Sequence, residues 1–113
     1  MTENKWHEEK CEGFDIRLTW DYEDLSIESH FPDDTPEQIA EINRKLDNHD
    51  YIWFIAIVSA YKNGIRLATE YLGGNLYDSM KQDDFIKNGY YQDMKLTVIK
   101  EAREVIKQLA SEI

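Results

Sequence analysis

Eight carboxylates, those of Asp21, Glu23, Asp24, Glu28, Asp33, Asp34, Glu37 and Glu41, fall within 21 residues, and no Lys or Arg stands between Asp21 and Ile42. Clustered carboxylates support three kinds of chemistry. Two that share one proton act as general acid and base. Several at set spacing around a turn glycine bind calcium. Many on one face present a field that attracts a basic surface. The first needs one carboxylate buried beside another, and nothing in this stretch marks such a pair. For the second, Asp21-x-Glu23 opens suitably, but Leu25 and Ser26 stand where a third ligand and the turn glycine belong. The third remains. B-form DNA carries one charge per about 1.7 Å of axis, so a face dense in carboxylates can imitate a phosphate track and dock on a basic nucleic-acid channel. The eight acids are therefore the candidate partner-binding residues.

Other reactive groups are sparse. His7-x-x-x-Cys11, with His30, His49, Glu8, Glu9 and Glu12, supplies eligible metal ligands. Zinc sites, however, use paired Cys/His clusters at short spacing, so no metal or cofactor is expected. Cys11 lies between Glu9 and Glu12, which disfavours a reactive thiolate. No serine sits in a nucleophile elbow. Gly73-Gly74 lacks the spaced third glycine of a phosphate cradle and reads as the end of a strand. A protein that is not an enzyme is expected.

The charge is uneven along the chain. Residues 1–50 hold 15 Asp+Glu against 5 Lys+Arg, a balance of −10, whereas residues 51–113 hold 8 against 8. Such acidity repels nucleic acid and anionic membrane, so neither is an expected partner. The 113 residues, 42% hydrophobic and 12% aromatic, suit one folded domain. A lone cysteine fits a reducing compartment. The opening MTENKWHEEK holds no apolar signal region, and the longest apolar stretch, Tyr51 to Tyr61, is half a membrane span. A cytoplasmic location is expected.

Several elements can be placed. Residues 1–12 form a polar arm, or an edge segment pinned by Trp6, ahead of a domain over 13–113. Phe14, Ile16, Leu18 and Trp20 alternate with polar residues, the period of a half-buried strand. Leu25, Ile27 and Ser29 could extend a second short strand. Thr35-Pro36-Glu37-Gln38 opens a helix with a capping box, and Ile39, Ile42 and Leu46 give its buried stripe up to Asn48. Tyr51–Tyr61 is apolar on both faces and reads as a central strand. Asn63-Gly64 sets a type I′ hairpin into a return strand, Ile65–Leu72. A helical turn at Asp83–Lys87 precedes a long helix from Gly89 to Ser111, with Met94, Val98, Ala102, Val105 and Leu109 as its stripe. The expected fold is α+β: a small antiparallel sheet of three to four strands, two helices on one face, and a long C-terminal helix. The three Trp and seven Tyr exceed what a small core requires, and aromatic residues favour interfaces.

Phe14-Asp-Ile-Arg-Leu-Thr-Trp-Asp, Lys62-Asn-Gly, Tyr71-Leu-Gly-Gly, Tyr91-Gln-Asp-Met and Glu101-Ala-Arg span about residues 14–105. This stretch resembles small acidic proteins carried by bacteriophages and prophages. The resemblance implies an accessory factor that blocks host defence, either CRISPR effector complexes or restriction enzymes, in some cases as a DNA mimic. The functional expectation is thus an inhibitor that occupies a basic nucleic-acid-binding surface of a host protein. The alternative is a homodimeric structural or assembly protein that uses an aromatic surface.

Overall fold

The sheet is a meander. The computed structural model describes residues 4–112. Its strands are β1 (Asn4–Cys11), β2 (Phe14–Tyr22), β3 (Tyr51–Lys62) and β4 (Ile65–Asp78), all antiparallel and in the order β1-β2-β3-β4. Between β2 and β3 lie α1 (Ile27–His30) and α2 (Pro36–Asp47); after β4 come a 3-10 turn (Ser79–Lys81), α3 (Asp84–Lys87) and α4 (Tyr90–Ser111). The fold is α+β, with an open four-stranded sheet and a long C-terminal helix.

Alternation decides which side chain meets which layer, because successive residues of a strand face opposite sides. Phe14, Ile16 and Leu18 of β2 and Phe54, Ala56, Val58 and Ala60 of β3 are buried on one face, under Phe85 of α3 and Tyr91, Met94, Val98, Ile99 and Ala102 of α4. Trp53, one residue from Phe54, points to the other face, where it packs with Ile27 of α1 and Ile39 of α2. The helices therefore lie on both faces, not on one. A single aromatic run in the central strand anchors both layers.

Local signals act as expected at two places. The Thr35 hydroxyl accepts from the Gln38 N–H (3.2 Å), and the Gln38 side chain accepts from the Thr35 N–H (2.7 Å). Asn63 and Gly64 both have positive φ, 52° and 79°, as the two-residue hairpin requires.

Of the two alternatives for the first residues, the structure has the edge segment: Asn4–Cys11 is an edge strand, with the Trp6 ring packed on Phe54 and Phe85 (centroids 5.7 and 5.6 Å) and its Nε1 donating to Asp83. Two further expectations are corrected. Ile27–Ser29 is helical, because Ser26 caps α1 by accepting from the Ser29 N–H. The return strand does not stop at Gly73. Register shifts opposite Phe54–Ala56 and Ala60–Tyr61 carry it on to Asp78, and buried Asn75 donates to the carbonyls of Phe54 (3.1 Å) and Leu72 (2.6 Å). The bulge satisfies through a side chain what the ladder leaves open.

One polar cluster fastens β1 to α4. Glu9 accepts from the Tyr91 hydroxyl (2.6 Å), Lys95 Nζ (3.2 Å) and His7 Nε2 (3.1 Å). The Tyr91 bond, with help from His7 and Lys95, outweighs partial burial and holds the Glu9 carboxyl below its ordinary range. Burial and the Glu9 charge push the Tyr91 hydroxyl well up. Nearer the far end of α4, the neighbouring Glu70 of β4, together with partial burial, raises the Glu101 carboxyl.

Two predictions follow from these contacts. Trp6→Ala removes a core ring and should lower stability by about 3 kcal/mol, a fall in Tm on the order of 10 °C; an unchanged Tm would mean that β1 is not part of the cooperative unit. Tyr91→Phe should cost about 1–2 kcal/mol at neutral pH. Glu9 titrates lower in the folded state, so its contribution is present above its unfolded value and lost as pH falls through the folded one. Denaturant midpoints of parent and variant should therefore converge below about pH 4. The comparison with the parent cancels the opposite pH dependence of Glu101.

Candidate functional site

The connection from β2 to β3 carries the acids, and Trp53 holds that connection to the sheet. The Trp53 indole donates to the Leu25 carbonyl (2.8 Å), and its ring meets those of His30 (5.1 Å) and Phe31 (5.9 Å). The Glu23 N–H donates to the Trp53 carbonyl (3.1 Å). The loop is thus fixed at both its backbone and its apolar side chains, and its charged groups other than Glu23 are left on the outside.

A close approach at β4 allows this. Gly74 has φ +73°, and a Cβ there would run into the His30 imidazole. At Gly73 a Cβ would stand 3.0 Å from Glu23 Oε2, which is buried there without a hydrogen-bond partner. The two glycines form the seat on which His30 and Glu23 rest.

The eight acids occupy different settings within this end. The Asp21 carboxylate accepts from the Tyr22 N–H (2.8 Å). Asp24 and Asp33 are exposed on the loops. Glu28 and Asp34 come together on the rim of a groove of about 430 Å³ between α1 and α2. Asp34 also borders a second, shallower groove with Glu37 and Glu41 along α2. Glu23 lines a third groove with Tyr51 and Trp53. Among the described residues, Glu41 alone of the eight is in an ion pair, with Arg44 (2.6 Å), which holds its carboxyl low.

The fold adds acids that the sequence placed elsewhere. Tyr51 pairs with Asp78 across the sheet, the Ser79 N–H donates to the Asp50 carbonyl (2.9 Å), and Trp6 reaches Asp83. Residues 78–88 therefore share this end with residues 21–50. Together the two segments hold 13 Asp+Glu against 4 Lys+Arg, −9 of the chain's −10. The half that is neutral in sequence is not uniform in space. The signal was present as Asp78, Asp83 and Asp84, but only the β3–β4 pairing shows where they go.

At the opposite end the charges balance. Arg103 donates to Glu12 in the β1–β2 turn (2.7 Å). That turn lies level with the β3–β4 turn, since Asp15 pairs with Tyr61. After Arg103 the last eight residues of α4 are exposed except for half-buried Val105, over about 12 Å of helix at 1.5 Å per residue. The molecule is elongated, with extents of 59 × 26 × 25 Å, in keeping with its 12- and 14-residue central and edge strands.

No family model, no curated protein and no solved structure matches this chain. Among the described residues, no group of three or more His, Cys, Asp or Glu is placed to hold a metal ion, and no helix is long and apolar enough to cross a membrane. The candidate ligands of the first strand are spent otherwise: His7 and Glu9 bind each other, Glu8 pairs with Lys5 and Arg17, and Glu12 pairs with Arg103. Much of the aromatic surplus is spent in the core, where Trp6, Trp20, Phe54, Tyr77 and Phe85 form one chain of ring contacts. Tyr22 and Tyr71 are the aromatic residues left most exposed, at 66% and 62%.

The seat of the acidic end gives a prediction. Gly64→Ala strains only the backbone, because nothing lies within 4 Å of the added carbon, and should cost about 1 kcal/mol. Gly74→Ala adds a collision with His30 and should cost at least about 2 kcal/mol, with faster proteolysis between residues 23 and 35. Equal costs would show that His30 yields freely.

Proposed function

We propose that this chain is a non-enzymatic binding protein whose acidic end docks on a basic, nucleic-acid-binding surface of another protein and so blocks it. One observation carries the reading: −9 of the charge is gathered at one end of an elongated molecule, and the carboxylates there, Glu23 excepted, are held outward on and beside a loop pinned by Trp53. Acids needed only for solubility could be spread over the whole surface. A field concentrated at one pole orients the molecule during encounter and raises the association rate with a basic channel. The proposed setting is the cytoplasm of a host cell, with a defence nuclease or effector complex as target and a bacteriophage as the source. That setting rests on the resemblance of Phe14–Asp21 and the other quoted segments to phage-carried inhibitors. Mimicry of DNA is the limiting form of the same idea.

A homodimer is the second reading. The feature that favours it is not aromatic: Ile106 and Leu109, 36% and 54% exposed, continue the stripe of α4 beyond its last buried residue, Ala102. Lys100, Arg103 and Lys107 stand there with Glu101, Glu104 and Glu112, a zero balance, so two antiparallel copies would meet without net repulsion.

The test separates the two. Immobilised protein exposed to a host-cell extract should retain proteins that duplex DNA releases, while itself binding no DNA. Asp24→Lys with Asp33→Lys should slow association by about ten-fold, and raised salt should do the same. Glu104→Lys with Glu112→Lys, an equal change of charge at the other end, should have little effect. Partners that DNA does not displace, or equal effects of the two pairs, would overturn the docking reading. A sedimentation mass that doubles with concentration and reverts in Leu109→Glu would favour the dimer.

A further inference from the structure

The groove between α1 and α2 has a composition that acidity alone does not explain. Its floor is Phe31, Ile39 and Ala40, and its rim carries the carboxylates of Glu28 and Asp34 beside the Asn43 amide. Ile39 belongs to the small core under Trp53, and Phe31 packs on the same cluster, so the floor is rigid. The rim carboxylates are uncommitted: Glu28 has one long contact, from Asn43 Nδ2 at 3.5 Å, and neither acid is in an ion pair among the described residues. An apolar trough ending in negative charge matches a side chain with a long aliphatic stem and a cationic head.

We propose that this groove receives an arginine side chain from the basic partner. The stem lies on Ile39 and Ala40, and the guanidinium lies between Glu28 and Asp34 beside the Phe31 ring. Arginine is favoured over lysine because its planar fork donates to two carboxylates at once and stacks on an aromatic ring, whereas an ammonium is a compact charge that holds its water. At about 430 Å³ the groove admits a long side chain and not a strand or helix. The site would supply the anchoring contact that a diffuse acidic field lacks: the field governs encounter, and a filled pocket governs residence. This inference rests on the acidic-end reading and narrows its partner to one that presents an arginine.

The probes are tetra-arginine amide and tetra-lysine amide, titrated at low ionic strength with amide shifts followed by NMR. Shifts should centre on Phe31, Ala40 and Asn43, and the arginine peptide should bind more tightly by about three-fold or more. Glu28→Gln with Asp34→Asn should weaken it by about ten-fold, and Asp47→Asn with Asp50→Asn, the same charge change at the same end but outside the groove, by less than about two-fold. Ala40→Leu fills the exposed trough without altering charge and should weaken binding by about five-fold. Undiminished binding to Ala40→Leu, or equal losses from the two neutralised pairs, would overturn the groove and leave the acidic end standing. Failure of both peptides to bind would overturn the acidic-end reading as well.

Discussion

Trp53 and Phe54 are neighbours in one strand and cannot face the same way. That constraint organises the molecule. Phe54 is fully buried and meets the rings of Trp6, Trp20, Tyr77 and Phe85, which tie both edge strands and α3 to the centre of the sheet. Trp53 faces the other way and holds α1, α2 and the loop between Tyr22 and Ile27. Because β3 is paired on both sides, neither ring can shift without breaking a ladder. The geometry of the acidic end is thus set by a strand paired on both sides, and its carboxylates sit on a support that a surface loop would not ordinarily have.

What could be read from the sequence was what depends on near neighbours. The capping box at Thr35 and Gln38, the Asn63-Gly64 turn and the alternation from Phe14 to Trp20 are all closed within a few residues. What could not be read depends on contacts across the fold. Asn4–Cys11 looks like a charged arm because its charges are answered elsewhere: Glu8 by Arg17, Glu9 by Tyr91 and Lys95, Glu12 by Arg103. Gly73-Gly74 looks like a terminus until Asn75 is seen to replace the missing ladder bonds and His30 to need the space. The division of the helices between two faces follows from a one-residue offset between Trp53 and Phe54 that periodicity does not rank. The acidic end shows both limits at once. Its first eight members are evident in the chain, whereas the pairing of Glu28 with Asp34 on one groove, and the arrival of Asp78, Asp83 and Asp84, are products of packing.

The polarity of charge also has a structural origin. The ion pairs among the described residues concentrate on the sheet and on α4, where acids and bases are brought into register, while the β2–β3 connection holds two cations, Arg44 and Lys45. Lys45 leans over the Tyr51 ring (4.8 Å to its centroid), and Arg44 is turned toward Glu41. The end is therefore negative because acids are gathered there, and the two bases of this connection are each turned to a neighbour within it.

The irregularities of β4 bear on how the protein avoids its own kind. A 14-residue edge strand offers a long row of open amide and carbonyl groups, the usual template for runaway stacking of chains into fibrils. The register shifts at Arg66–Ala68 and Leu72–Asn75 cut that row into Ile65–Arg66, Ala68–Leu72 and Asn75–Asp78, each twisted away from the next. A neighbouring molecule that copied one piece would be out of step with the following one. The same two glycines that seat the acidic loop thus also keep the edge from propagating.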